Sequence, residues 1–322
     1  MILPAIPRPF ARPGPSRHPQ LQSARPGALP SRFRRQRVLI VGCGDVGLRV
    51  AAALPERVRV LALTSSPQRV GLLRGRGIVP LQGNLDQPWS LARLAGLATR
   101  VLHLAPPPGV GEADPRSLAL AQALSRGRRP GALVYGSTSG VYGDCGGDWV
   151  SETRPVNPAT PRARRRVAAE AVLRWWGRSS DVPVSVLRIP GIYAADREGG
   201  TPRERLLRGT PVLRREEDVQ TNHIHADDLA RACVRALWKA PSQRVFNCCD
   251  DTKLSMGDYF DLAADLYGLP RPERVSREQA RERLSPMALS FMGESRRLEN
   301  ARMKRELGLA LRYPTVAQGL AA

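Results

Sequence analysis

Four arginines stand within five positions at the head of an alanine-rich stretch: Arg162, Arg164, Arg165 and Arg166 in PATPRARRRVAAE, Pro158–Glu170. A guanidinium stays protonated at any workable pH, so this run binds anions but does not exchange protons. Three readings are open: a basic patch for nucleic acid, a solvated helix face, or a catalytic helix whose expected residues have been replaced. Arg162 and Arg166 are four apart and share one helix face. A second chemistry lies upstream, where Gly42, Cys43, Gly44, Asp45, Val46 and Gly47 fit the pattern GxGxxG. Such glycines permit a tight turn, close approach of backbone to a pyrophosphate, and tight helix–strand packing. The helix that follows offers free N–H groups and a partial positive charge to phosphate.

The motif counts only if a strand precedes it and a helix follows. Val38–Val41 is continuously apolar, as a parallel strand covered on both faces tends to be. Further strands are expected at Val58–Leu63, within GIVPLQGNL (77–85), and at Arg100–Ala105, Gly131–Thr138 and Pro183–Tyr193. Helical patterns fall between them at Gln68–Arg76, Leu91–Leu97, Arg116–Ser125 and Arg164–Gly177. This alternation predicts an α/β chain with a Rossmann-type doubly wound parallel sheet. Beyond Tyr193 a helix over Ile224–Trp238 and a strand in QRVFNCC are expected. Residues 255–309 read as a small, mostly helical C-terminal lobe. The dinucleotide domain is therefore placed at 37–322, with the substrate-binding portion at about 190–215 and 250–310.

The end of the second expected strand bears on the cofactor. An NAD site usually carries an acid there, bonded to the adenosine ribose. Here Thr64, Ser65 and Ser66 are neutral and Arg69 follows closely. No carboxylate repels a 2′-phosphate, and Arg69 is placed to pair with one, which favours NADP over NAD. The competing reading makes Arg69 a solvated helix-start residue.

Several ordered landmarks now carry a resemblance. GNLD (Gly83–Asp86), VLHLAP (Val101–Pro106), STSGVYGD (Ser137–Asp144), VLRIPGIY (Val186–Tyr193), NHIHADDLARA (Asn222–Ala232) and VFNCCDD (Val245–Asp251) follow the glycine motif in turn. Together they resemble the short-chain dehydrogenase/reductase superfamily, in its extended branch of NAD(P)-dependent epimerases and dehydratases. The resemblance implies that Asn84, Leu85 and Ala105 border the cofactor and that Thr138 orients the substrate oxygen. It also implies a Tyr acid/base and a Lys four residues later, in the pattern PxSxYxxxKxxxE. On this chain Pro158, Thr160 and Glu170 match, but the Tyr position is Arg162 and the Lys position is Arg166. The chain thus resembles the atypical members that keep the fold and lose the Tyr/Lys pair.

Two outcomes stand open. One is an oxidoreductase, epimerase or dehydratase for a small anionic or sugar-like substrate, using Thr138, Tyr142, Arg162 and Arg166. The other is a catalytically silent NAD(P)-binding sensor or regulator. Tyr142 follows Thr138 closely and is either a substitute acid/base or a packing aromatic. His103 is either a substitute acid/base or a core histidine satisfied by a backbone bond. Arg166 either lines the cleft or pairs with Glu170. Arg164 and Arg165 read as surface charge. His223 and His225 invite a metal reading, but Asp227 explains the acids as a helix start, so no metal site is expected.

Composition narrows the partners. The 322-residue chain carries a formal charge of +21, of which Met1–Arg37 supplies eight arginines and no acid. The basic residues are 47 Arg against 3 Lys, which suggests a compositional bias that scatters charge rather than a concentrated nucleic-acid face. Residues 1–36 are rich in Pro and Arg and read as a disordered extension, or as residues ahead of the true start. The five cysteines, an odd number without CxxC spacing, suit a reducing cytoplasm. No apolar run reaches membrane-span length. A small-molecule substrate, no nucleic acid, no membrane and a homodimer are the expectations.

Overall fold

The structure, a computed structural model, describes residues 35–322, so the extension expected at 1–36 lies outside the described residues apart from Arg35 and Gln36. Strand β1 (Arg37–Val41) shows why its whole length is apolar. Val38 and Ile40 face one core cluster, while Leu39 and Val41 face another on the opposite side. A strand buried on both faces has no room for a polar alternation.

Seven strands make one sheet in which all pairs are parallel: β1, β2 (Arg59–Thr64), β3 (Val79–Gln82), β4 (Arg100–His103), β5 (Leu133–Thr138), β7 (Val184–Ile189) and β11 (Val245–Asn247). The order across it is β11-β7-β5-β4-β1-β2-β3. The chain starts in the middle, runs to one edge, returns, and finishes the other edge. That reversal beside β1 makes the switch point at which open α/β sheets bind ligands. Two-residue strands β6 (Trp149–Val150), β9 (Val212–Leu213), β12 (Arg274–Val275) and β13 (Arg297–Leu298) form small pairs outside it, as do β8 (Gly191–Tyr193) and β10 (His223–His225).

The helices are α1 (Asp45–Ala53), α2 (Arg69–Gly75), α3 (Pro115–Ser125), α4 (Pro161–Ser180), α5 (Arg203–Leu207), α6 (Ala226–Lys239), α7 (Met256–Tyr267), α8 (Arg277–Arg283), α9 (Pro286–Phe291), α10 (Ala301–Leu307) and α11 (Val316–Leu320). Helix α6 presents Leu229, Ala230, Cys233, Ala236 and Leu237 to the cluster that holds Val38 and Ile40. Helices α3 and α4 cover the other face with Leu120, Leu124, Ala169 and Leu173. The C-terminal lobe has its own core of Tyr193, Tyr259, Phe260, Ala263 and Val316.

Some expected elements move. The single strand expected over Pro183–Tyr193 is two, because Pro190 has no N–H to give a ladder; β7 stays in the main sheet and β8 pairs with β10. The helix expected over Leu91–Leu97 is a 3₁₀ segment at Pro88–Leu94. Helix α4 begins earlier than its alanines suggested: Thr160 accepts from the Ala163 N–H as N-cap, and Pro161 takes the first turn. Helix α6 is capped not by Asp227 but by His225, whose Nδ1 accepts from the Asp227 N–H at 3.2 Å. An unprotonated imidazole nitrogen accepts as a capping oxygen does, and burial lowers the His225 pKa.

Candidate functional site

The turn between β1 and α1 is fixed by close backbone packing. Leu104 and Ala105 both donate to the Val41 carbonyl, at 2.7 and 3.0 Å. Gly42 lies against them at φ +87°, where an added Cβ would stand 2.3 Å from the Ala105 nitrogen. A Cβ on Gly47 would meet Ile40 Cγ2 at 3.2 Å, so this glycine lets α1 lie close on β1. Gly44 differs. It is the N-cap of α1 with no side chain to cap it, and a Cβ there would meet nothing within 4 Å. The first-turn N–H groups of α1 therefore keep their capacity to bind an anion in open space. These residues fit a pyrophosphate.

A groove runs across this turn in two parts that share Gly42, Gly44 and Leu104. The outer part, about 500 Å³, is lined by Cys43, Thr64, Ser65, Ser66, Arg69, Asn84, Leu85, Asp86, Ala105 and Arg116. Arg69 donates from Nη2 to the Cys43 carbonyl at 2.7 Å, which ties it across the glycine turn rather than leaving it in solvent. Burial pushes the Cys43 thiol up to about 11, so this cysteine stays protonated. Arg116 grips both oxygens of Asp86, at 2.7 and 2.6 Å, and holds that carboxyl below its ordinary pKa.

The inner part, about 250 Å³, is lined by Asp45, Val46, Gly47, Thr138, Arg162, Arg166 and Arg197 among others. Thr138 ends β5 and its hydroxyl accepts from the Gly140 N–H at 3.3 Å. Arg166 donates from Nη1 to the Gly136 carbonyl at 2.7 Å and to the Tyr135 hydroxyl at 3.1 Å. Its guanidinium is thus locked to the side of β5. The alternative pairing of Arg166 with Glu170 does not form. Glu170 instead accepts from Ser137 at 2.6 Å and from Arg188 at 3.2 and 2.8 Å, because a buried carboxylate needs several donors that are buried with it.

Arg162 makes no hydrogen bond or ion pair among the described residues. Desolvation in the cleft, then repulsion by Arg166, holds its pKa below the ordinary value. Glu294 supplies the opposing charge that acts on it. A Cβ on Gly140 would stand 3.7 Å from Thr138 Oγ1 and 3.8 Å from Glu294 Oε2, so Glu294 faces the turn that follows Thr138.

Other expected residues lie elsewhere. Tyr142 does not line the groove: it is 1% exposed, donates to Asn247 Oδ1 at 2.8 Å, and stacks under Arg188 at 4.7 Å. The acid/base alternative for Tyr142 therefore gives way to packing, since burial raises its phenol pKa further. Arg165 is buried, not surface charge, and donates to the Gly111 carbonyl at 2.7 Å. Arg164 pairs with Glu112 at 2.9 Å near the surface. His103 is a core histidine whose Nε2 lies 3.0 Å from the Ser117 hydroxyl; burial pushes its pKa down to about 3. His223 and His225 pack on Tyr259 and Tyr313, and no group of three or more metal-ligating side chains occurs among the described residues.

One groove residue and one charge acting beside the groove carried no sequence signal. Arg197 sits in a stretch that reads only as loop, and Glu294 lies far along the chain from Thr138. No helix among the described residues is long and apolar enough to cross a membrane.

Known proteins give the same outline. A solved structure of a functionally unknown conserved protein from Silicibacter pomeroyi DSS is 30% identical with a TM-score of 0.73, covering 88% of this chain and 96% of that one. UDP-glucuronic acid 4-epimerase from Bacillus cereus, solved in complex with NAD, is 17% identical with a TM-score of 0.70, covering 89% and 97%; this likeness is one of fold. UDP-arabinose 4-epimerase 1 of Arabidopsis thaliana is 25% identical over 138 residues, a match that spans only 35% of this chain and 33% of that relative. The model of the NAD dependent epimerase/dehydratase family matches residues 38–249, from the first buried strand to the end of the last one in the sheet, and this chain belongs to that family.

Proposed function

We propose that this chain binds NAD(P) along the groove and receives a small anionic or sugar-like substrate beside Thr138, for oxidoreduction, epimerisation or dehydration. The observation that carries the reading is the continuity of the glycine turn with a cavity where Arg162 has a charge and no partner. Gly42, Gly44 and Gly47 admit the pyrophosphate to the α1 N-terminus. Bound NAD(P) supplies a hydride acceptor or donor. Arg166, locked to β5, presents fixed donors to ribose hydroxyls, and Thr138 orients a substrate oxygen. Arg162 neutralises a carboxylate or phosphate of the substrate.

The choice of NADP over NAD rests on Arg69 and the neutral end of β2. We expect wild-type protein to bind NADPH more tightly than NADH in a fluorescence titration. Arg69→Ser is expected to weaken NADPH by about tenfold, with NADH little changed. Equal losses for both cofactors would reject the 2′-phosphate role.

A silent binding role has one observation in its favour. Among the described residues the inner cavity is lined by no histidine, tyrosine or lysine that could replace the missing acid/base. Screening sugar nucleotides and small carbonyl compounds for turnover separates the two readings. If the enzyme reading holds, Arg162→Ala lowers kcat/KM for an anionic substrate by about tenfold or more, the usual scale for a charge-assisted hydrogen bond. Tight cofactor binding with no turnover, unchanged in Arg162→Ala, selects the silent reading. No binding of either cofactor rejects both.

A further inference from the structure

The loop between β8 and α5 is pinned to the first turn of α1 by a cluster of charges. Arg49 pairs with Asp45 at 3.2 Å, with Asp196 at 2.6 Å and with Asp227 at 2.6 Å. Arg197, next in the loop, donates from Nη1 to the other Asp45 oxygen at 3.1 Å. Its remaining guanidinium donors have no acceptor among the described residues, yet Arg197 lines the inner cavity together with Gly42, Gly44 and Gly47. Asp45 occupies the first helical position, where a carboxylate suits the helix dipole but opposes any second anion. The groove therefore carries a carboxylate beside the glycine turn, and two arginines that neutralise it.

We infer that Arg197 is a pyrophosphate clamp, held ready by Asp45, that passes its ion pair from that carboxylate to the phosphate oxygens when a dinucleotide enters. The inference rests on the reading of the groove as an NAD(P) site. Its physical content is an exchange of partners. Arg197 is half-buried at the groove wall and tethered through its neighbour Asp196, so a change of side-chain rotamer suffices and the loop need not move. Asp45 loses one of its two arginines in the exchange but keeps Arg49.

The test is isothermal titration with NADPH and with ADP-ribose, which carries the pyrophosphate without nicotinamide. Wild-type binding is measured first; its absence overturns the groove reading and the clamp with it. Given wild-type binding, Arg197→Gln is expected to weaken both ligands by about tenfold, Arg197→Lys to restore part of the loss, and Arg197→Gln to flatten the dependence of affinity on salt. The double variant Arg197→Gln/Asp45→Asn decides between a clamp and mere charge balance. If Arg197 touches phosphate, the double variant remains weak. Recovery of wild-type affinity, or no loss in Arg197→Gln, overturns the clamp while leaving NAD(P) binding intact. Thermal unfolding without ligand accompanies each variant, and a loss of ligand-induced stabilisation in a variant whose unliganded melting point is unchanged supports the clamp.

Discussion

Gly42→Ala is expected to lose dinucleotide binding and to destabilise the fold by on the order of 3 kcal/mol. Two costs combine. The residue sits at φ +87°, a region that an L side chain enters only with strain, and the new methyl would stand 2.3 Å from the Ala105 nitrogen. That neighbour is backbone tied to Val41, so it does not step aside as a flexible side chain would. Relief requires β1 and β4 to part, which widens the turn that holds the pyrophosphate. Gly44→Ala is the matched control: its Cβ meets nothing, and its φ of −80° suits alanine. Urea denaturation and an NADPH titration read both. Gly44→Ala is expected to keep its stability and bind more weakly, because its methyl enters the groove. Equal stability of the two variants would refute the packing argument.

Glu170→Ala carries the other large effect. Glu170 and Arg188 form an ion pair whose side chains are 5% and 6% exposed, and Ser137 adds a third bond to the same carboxylate. Removing the carboxylate strands the Arg188 charge between β7 and Tyr142, at a cost of about 3–5 kcal/mol. A double replacement by apolar residues of similar volume, Glu170→Met with Arg188→Met, is expected to recover most of that loss, since it removes the stranded charge. Chemical denaturation of the three proteins checks this, and an additive double variant would count against it. The site is affected too: Ser137 precedes Thr138 on β5, so a loosened Ser137 shifts the hydroxyl at the groove.

The fold was legible because its strands announce themselves. Val38–Val41 and the glycines after it state a buried strand and a tight turn within ten residues, and the alternation that follows leaves few topologies. Boundaries that depend on hydrogen bonds were less visible. Pro190 divides an apolar run that looks continuous, and His225 caps a helix in place of the acid beside it. The site was legible where local chemistry dictates it. The glycine turn and the neutral strand end carry their meaning in sequence. Residues placed by distant packing do not: Arg165 looked like its neighbours on the arginine run, but the 104–114 loop folds over it and supplies the Gly111 carbonyl. Tyr142 looked close to Thr138 in sequence, yet the 3₁₀ turn over Ser139–Tyr142 buries its ring behind the strand.

The order of the sheet also sets a sequence of events at the ribosome. Strand β1 emerges first and takes the middle of the sheet, with β2 and β4 as its flanks. The face made by Val38, Ile40 and Leu102 shares its core cluster with α1 and with α6, which begins only at Ala226. During synthesis that apolar face lacks the α6 part of its cover while most of the chain is still being added. The central strand that builds the ligand groove thus completes one of its faces only when a helix far along the chain has been made.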